Sequence, residues 1–202
     1  MNIFCIGRNY SEHAKELNNP LPTQPIIFCK PSGALLRDNK PFYYPDFSKD
    51  IQYEVELLIK IGKPGKSIHE SKAKEYIDQI GLGIDFTARD LQTECKSKGL
   101  PWEIAKGFDH SAVVGDWLPF EELDLTQVEF SLLKNKETVQ SGHSKDMIFS
   151  FENVISYLSG FFSLSKGDII FTGTPSGVGP IKRGDMFEGF IGDKRMFWTE
   201  IR

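Results

Sequence analysis

Tyr53-Glu54-Val55-Glu56-Leu57-Leu58-Ile59, read together with Asp85 further along, is the stretch on which this chain turns. Alternate side chains of a β-strand share a face, so Glu54 and Glu56 point one way while Val55, Leu57 and Ile59 point the other. Alone, this is the pattern of an amphipathic strand, apolar inside and acidic outside. Asp85 changes that reading. It sits in Ile80-Gly-Leu-Gly-Ile-Asp85-Phe86, an apolar run expected to be buried, where a lone carboxylate is costly to desolvate. Two carboxylates at strand spacing and a third from a neighbouring apolar strand make an all-oxygen site for a hard divalent cation. Mg²⁺ or Mn²⁺ suits such a site better than zinc, which prefers nitrogen and sulfur.

The bulk properties set the frame. A chain of 202 residues can bury roughly 70% of its unfolded surface around one core, and residues 1–202 are expected to form a single domain. A net charge of −4 argues against a nucleic-acid partner. The three cysteines, Cys5, Cys29 and Cys95, are odd in number and scattered, which suits a reducing compartment and no disulfide framework. The apolar opening before Arg8 is too short for a signal peptide. No run approaches the roughly 18 apolar residues of a membrane span. A cytoplasmic protein without a membrane partner is expected.

Ile3 to Ile6 reads as a short strand leading into Gly7-Arg8-Asn9-Tyr10. Ser11 can cap a brief helix from Glu12 to Leu17, stopped by Asn18-Asn19-Pro20. His13 and Glu16 fall three apart on it and face one side; they form either a solvated surface or a dyad in which the carboxylate orients the ring and raises its basicity. The proline-bearing segment from Asn18 to Gln24 suggests a mobile flap. Ile26 to Lys30 reads as a strand, with Lys30 as an edge-strand charge that discourages pairing or, as the other reading, a substrate contact. Ser67 and Glu70 have capping-box spacing for a helix reaching about Gln79. Thr87 and Asp90 repeat that spacing and predict a helix just past Asp85, on which Arg89, Gln92 and Lys96 share a face. That face is a plain solvated one or, beside a metal, a seat for an anion. Gly99 to Phe108 reads as a loop with Lys106 near its end. Strands are expected over Ser111–Val114, Val128–Lys134, Ile169–Thr172, Met186–Ile191 and Met196–Ile201, with one helix over Ser150–Phe162. Thr172-Gly-Thr-Pro-Ser-Gly-Val-Gly-Pro180 lacks the ending of a P-loop; it is a tight connector, or its open N–H groups receive a small carboxylate.

These segments occur in a fixed order. Gly7-Arg8-Asn9-Tyr10 with His13 and Glu16, Phe28-Cys-Lys30-Pro-Ser, Glu54-x-Glu56, Asp85-x-Thr-Ala-Arg89-Asp90-x-Gln92, Gly99-Leu-Pro-Trp-x-x-x-Lys106 and Thr172-Gly-Thr-Pro-x-Gly-Val-Gly-Pro180 together resemble the fumarylacetoacetate hydrolase family. The resemblance is closest to its short acylpyruvase and oxaloacetate decarboxylase branch and covers nearly the whole chain. It implies a mainly β fold with a few short helices, a roll of mixed β-sheet, assembled as a homodimer. It implies that Glu54, Glu56 and Asp85 hold Mg²⁺ or Mn²⁺, and that His13, Glu16 and Lys106 are catalytic. Arg89, Gln92 and Thr174 match substrate-contacting positions, with Lys30 as a further one.

The implied chemistry is metal-dependent hydrolysis of a C–C bond in a 3-acylpyruvate-like 2-oxo acid, through an enolate of pyruvate. Loss of CO₂ from oxaloacetate would use the same electron sink. Two other readings remain: an isomerase or tautomerase of related oxo-diacids, which shares the metal and lysine, and a divalent-ion-binding module without turnover, which needs no positioned base.

Overall fold

The computed structural model describes residues 1–16 and 20–202. The strand carrying Glu56 lies inside a seven-stranded sheet. In spatial order that sheet runs Ile26–Lys30, Ile3–Gly7, Ile169–Phe171, Val55–Ile61, Ile77–Asp85, Ala112–Pro119 and Leu35–Leu36. Ile3–Gly7 pairs parallel with Ile169–Phe171, as does Leu35–Leu36 with Ala112–Pro119, and the remaining pairs are antiparallel. A four-stranded antiparallel sheet orders Glu137–His143, Glu129–Lys134, Met186–Ile191 and Lys194–Glu200. A small third sheet joins Gly179–Pro180, Ile51–Tyr53 and Thr87–Ala88. The expected fold class, mainly β with mixed sheet and short helices, is what the chain adopts.

The alternation read in the sequence holds, but apart from the partly exposed Lys60 both faces of the Val55–Ile61 strand are buried. Val55, Leu57, Ile59 and Ile61 enter the larger apolar cluster, with Ile80, Leu82 and Phe187. Leu58, on the face shared with Glu54 and Glu56, enters a smaller cluster with Ile3, Cys5 and Phe171. A two-faced interior strand cannot present carboxylates to bulk water, so both glutamates end up inside. Glu54 itself lies in the break between Ile51–Tyr53 and Val55–Ile61, where the chain passes from the small sheet to the large one. At that break the Asp85 N–H donates to the Glu54 carbonyl over 2.8 Å, which brings the third carboxylate beside the first.

Several local expectations are corrected. The helix expected from Ser67 to Gln79 is one turn, Glu70–Ala73, followed by a 3₁₀ turn at Lys74–Tyr76. Ser67 has φ +51° and does not cap it; the His69 ring accepts the Ser71 N–H instead. Ile77–Asp85 is strand because its alternating isoleucines and leucine pair along the whole of Val55–Ile61, and this tertiary pairing overrides the local helical signal. Thr87 does not cap the Arg89–Lys98 helix, whose N-cap is Ala88 with no side-chain bond. Asp90 instead accepts from Ser48 Oγ and the Lys49 N–H. The expected loop at Gly99–Phe108 contains a short helix, Glu103–Lys106, and the strand Glu137–His143 was not foreseen. The Phe151–Phe161 helix is as expected, with Ser150 accepting the Asn153 N–H and Phe151, Val154, Ile155 and Leu158 buried. Leu17, Asn18 and Asn19, the end of the expected first helix and the start of the expected flap, lie outside the described residues. Pro20–Gln24 carries no regular structure and is mostly exposed.

Gly83 shows how tightly the Asp85 strand is set. It lies at the register shift against Ala112–Pro119, and a Cβ there would meet the Val113 carbonyl oxygen at 2.2 Å. Gly83→Ala should therefore destabilise the protein by about 2–3 kcal/mol through forced displacement of backbone. Urea unfolding measures this; a change of about 0.5 kcal/mol, the size of an ordinary surface substitution, would contradict the close approach.

Candidate active site and metal centre

Glu54, Glu56 and Asp85 are 5%, 2% and 0% exposed, and one oxygen from each lies within 4.8 Å of the others. Three buried carboxylates this close repel one another unless cations intervene. Lys106 supplies one such charge. Its Nζ donates to Glu54 Oε2 (2.7 Å), Asp85 Oδ2 (2.8 Å) and Thr87 Oγ1 (2.6 Å). Burial alone would lower the Lys106 pKa, but Asp85 and Glu54 outweigh it and hold the ammonium above its usual value. Arg89 adds a second charge, donating from NH2 to Glu54 Oε1 (2.5 Å), from NH1 to Gln92 Oε1 (2.7 Å) and from Nε to Gln52 Oε1 (2.9 Å). Burial works against ionisation of Glu54, yet Lys106, Arg89 and His13 hold its carboxyl well below the usual range.

Lys30 is corrected by the structure. Its strand is the edge of the large sheet, but the side chain is fully buried behind Asp85, with Nζ 2.7 Å from Asp85 Oδ1. It also donates to Ser111 Oγ at 2.9 Å and to the Lys106 carbonyl. Lys30 is thus neither a solvent-facing edge charge nor part of the cavity wall. It braces Asp85 and Lys106 from the interior.

Two observations bear on whether these residues fit a metal ion. Asp85 Oδ1 is buried and has charge proximity to Lys30 but no aligned hydrogen-bond donor. Glu56 accepts only the Gly173 N–H, at 2.6 Å, and has no cationic partner among the described residues. Burial, then Asp85 and Glu54, push the Glu56 pKa well above the ordinary carboxylate value. A cluster of hard oxygens in which Glu56 lacks a cationic partner and Asp85 Oδ1 lacks an aligned donor fits a Mg²⁺-class or Mn²⁺-class ion.

The glycine-rich segment after Phe171 was read as a connector or an anion seat. Its N–H groups receive the chain's own carboxylates: Gly173 holds Glu56, and Gly177 holds Glu16 at 3.1 Å. Gly173 has φ +102°, and a Cβ there would meet Asn9 Cβ at 2.6 Å. Asn9 fastens the neighbouring loops, donating to the carbonyls of Thr172 and Phe149 and accepting the Phe149 N–H. Gln140, on the unforeseen strand, accepts the Val55 N–H and donates to Thr174 Oγ1 at 2.9 Å. Neither Asn9 nor Gln140 was singled out in the sequence; a lone buried amide leaves no spacing signal.

His13 is buried and its Nδ1 lies 3.3 Å from Glu16 Oε2. Burial lowers its pKa, with Glu54 and Glu16 only partly offsetting this, so the ring is neutral near pH 7. The expected pair is formed, and only its histidine faces the cavity. Around the three carboxylates, the cavity wall includes His13, Arg89, Gln92, Lys106 and Thr174. Arg8, Lys96, Phe28 and Trp102 also line it; these were not assigned roles from sequence, although Lys96 was placed on the Arg89 face. The space inside is about 30 Å³, the share of roughly one water molecule.

The sequence pattern described as Fumarylacetoacetate (FAA) hydrolase C-terminal matches residues 2–196. The chain belongs to this family. It is 43% identical over 191 residues to the mitochondrial oxaloacetate tautomerase FAHD1 of Mus musculus, covering 94% of this chain and 86% of that protein. It is 41% identical over 188 residues to the mitochondrial oxaloacetate decarboxylase of Dictyostelium discoideum, covering 92% and 86%. The crystal structure of fumarylpyruvate hydrolase from Pseudomonas aeruginosa, in complex with Mn²⁺ and pyruvate, superposes with a TM-score of 0.94 at 36% identity, covering 100% of this chain and 89% of that one.

The lysine–carboxylate geometry yields a direct expectation. Lys106→Met leaves Glu54 and Asp85 buried without their shared counter-charge, and breaking such a pair costs about 3–5 kcal/mol. In excess chelator the variant should unfold at lower urea than wild type, and added Mn²⁺ should recover more stability in the variant than in wild type. Equal stability of both proteins in chelator would show that Lys106 does not hold the carboxylates together.

Proposed function

We propose that this protein is a Mg²⁺- or Mn²⁺-dependent enzyme of 2-oxo acids, hydrolysing the C–C bond of 3-acylpyruvates and also acting on oxaloacetate. The observation that carries the reading is the buried Glu54–Glu56–Asp85 cluster with Lys106 at its centre and a neutral histidine in the same cavity wall. The Mn²⁺ and pyruvate in the Pseudomonas aeruginosa relative support it. A divalent ion bound by these carboxylates supplies a Lewis acid for the carboxylate and 2-oxo group of the substrate.

The chain's own residues account for the rest. A neutral His13 whose Nδ1–H donates to Glu16 leaves Nε2 to take a proton from water. Attack of that water on the distal acyl carbonyl, followed by C–C cleavage, sends the bonding pair into the pyruvate fragment as an enolate. The charge of the Lys106 ammonium, whose donors already go to Glu54, Asp85 and Thr87, would offset the charge that develops on the enolate oxygen. Arg89 and Gln92, already joined to each other, offer planar donors to a carboxylate. A second reading, keto–enol tautomerisation of oxaloacetate, is favoured by the name of the mouse relative; it needs only proton transfer at the carbon beside the 2-oxo group.

Hydrolysis needs an activated water, whereas decarboxylation needs only a place for the electrons. His13→Ala should lower acylpyruvate hydrolysis by about 10²–10⁴ and oxaloacetate decarboxylation by much less. Glu56→Ala should abolish both together. Pyruvate release, corrected for the metal-catalysed reaction in solution, reads each rate. Equal loss of both activities in His13→Ala, with fold and metal affinity intact, would remove His13 as the water base.

We further infer a homodimer. Phe161 is 62% exposed, and Phe162 and Trp198 are each 38% exposed, which leaves aromatic surface for a second copy. Phe197, the neighbour of Trp198, is buried in the core. Light scattering should give twice the chain mass at micromolar concentration; a single-chain mass throughout would refute pairing.

A further inference from the structure

Gln140 is buried and is not part of the cavity wall, yet each of its polar atoms goes to a segment that builds that wall. Its strand is irregular at this point. The pairing of Glu137–His143 with Glu129–Lys134 shifts between Thr138 and Gln140, leaving Val139 without an opposite residue, and a bulge of this kind re-aims the side chains beside it. Gln140 Oε1 accepts the Val55 N–H at 2.9 Å, between the two glutamates of the cluster. Gln140 Nε2 donates to Thr174 Oγ1 and to the Pro175 carbonyl, each at 2.9 Å. We propose that Gln140 is a positioning residue: it holds the Thr174 hydroxyl as a hydrogen-bond donor to an anionic ligand in the cavity. This rests on the function proposed above and adds the residue that sets the direction of one of its contacts.

The chemistry of the partners fixes the orientation of the amide. The Val55 N–H can only donate and the Pro175 carbonyl can only accept, so the oxygen of Gln140 faces Val55 and its nitrogen faces Pro175. The second proton of that nitrogen goes to Thr174. A hydroxyl has one proton to give and lone pairs with which to receive. With Oγ1 receiving from Gln140, the Thr174 proton is left for another acceptor, and none takes it among the described residues. Thr174 is 3% exposed and lines the cavity. A bound carboxylate supplies the acceptor it lacks, and a hydrogen bond to a charged group is the stronger kind.

The surrounding backbone keeps this arrangement in place. The loop after Phe171 is tied on one side of Thr174 by Gly173 to Glu56 and on the other by Gly177 to Glu16. Gly177 has φ +98°, and a Cβ there would meet the Val139 carbonyl oxygen at 2.5 Å. The bulge and the loop thus meet backbone to backbone, and the Gln140 side chain bridges them. Without the amide, the Thr174 hydroxyl is free to rotate, and a ligand would have to order it on binding.

The test is a double-mutant cycle. Calorimetry on Mn²⁺-loaded protein measures oxalate affinity in wild type, Gln140→Met, Thr174→Val and the double variant, with melting curves to confirm folding. Thr174→Val removes a hydrogen bond to a charged ligand and should weaken oxalate by about 10–100-fold. Gln140→Met should weaken it by about 2–10-fold where the Thr174 hydroxyl is present and leave it unchanged once that hydroxyl is gone. Thr174→Ser, which keeps the hydroxyl, should keep both the affinity and its dependence on Gln140. Equal weakening by Gln140→Met in both backgrounds would mark a purely structural role and overturn the proposal, as would no weakening in either. Where Gln140→Met does not fold, Gln140→Glu replaces it, keeping an acceptor for Val55 but offering Thr174 an acceptor as well. Its added charge acts on oxalate in both backgrounds alike, so the ratio of the two effects isolates the hydroxyl. Urea unfolding of the same proteins in chelator reads the pair without any ligand. A loss in the double variant smaller than the two single losses together would show the Gln140–Thr174 bond; additive losses would overturn it. Oxalate failing to bind Mn²⁺-loaded wild type would sink the proposed function, and the unfolding cycle would then decide the role of Gln140.

Discussion

Three carboxylates closed inside a protein are a liability unless positive charge is built around them. Here that requirement organises the site. Lys106 bridges Glu54 and Asp85, Lys30 braces Asp85 from the interior, and Arg89 ties Glu54 to Gln92 and Gln52. Glu56 is held by a backbone N–H alone. Buried ion pairs of this sort contribute little net stability, since desolvation offsets most of their attraction. Their presence fits the proposal that the cluster holds a small, hard cation.

The fold supplies the geometry. Adjacent antiparallel strands put Glu56 opposite Gly83, and the Asp85–Glu54 backbone bond closes the end of that pair. Glycine is needed where the Asp85 strand passes the Val113 carbonyl and where Gly173 turns its N–H toward Glu56. The short Glu103–Lys106 helix then delivers Lys106 from outside the sheet. The carboxylates and Lys106, on separate loops and strands, are thereby fixed by the interior, while His13 rides on a short helix fastened through Glu16 to Gly177.

Much of this was legible in the residues. The i, i+2 spacing of Glu54 and Glu56 gave their common face, and the apolar setting of Asp85 marked it as a carboxylate in need of a cation. The ordered motifs gave the family and with it the mixed β fold. What the sequence concealed has physical causes. The capping signals at Ser67 and Thr87 were real local preferences overruled by strand pairing and by Lys106, which takes the Thr87 hydroxyl. Lys30 looked like an exposed edge charge because sequence does not reveal which edge is covered. Arg8 and Lys96 are distant in the chain and reach one cavity wall only through the fold, and the positive φ of Arg8 leaves no mark in a motif shared with an ordinary turn.

If the carboxylate cluster is a cation site, an anionic ligand binds through the cation it holds. Thermal unfolding with Mn²⁺ and oxalate, a flat mimic of pyruvate enolate, tests it most directly. A ligand that binds only the folded state adds about 2.7 kcal/mol at a hundredfold excess over its Kd. Mn²⁺ should raise the melting temperature, and oxalate should raise it further only when Mn²⁺ is present. Equal stabilisation by oxalate in excess chelator would contradict the account.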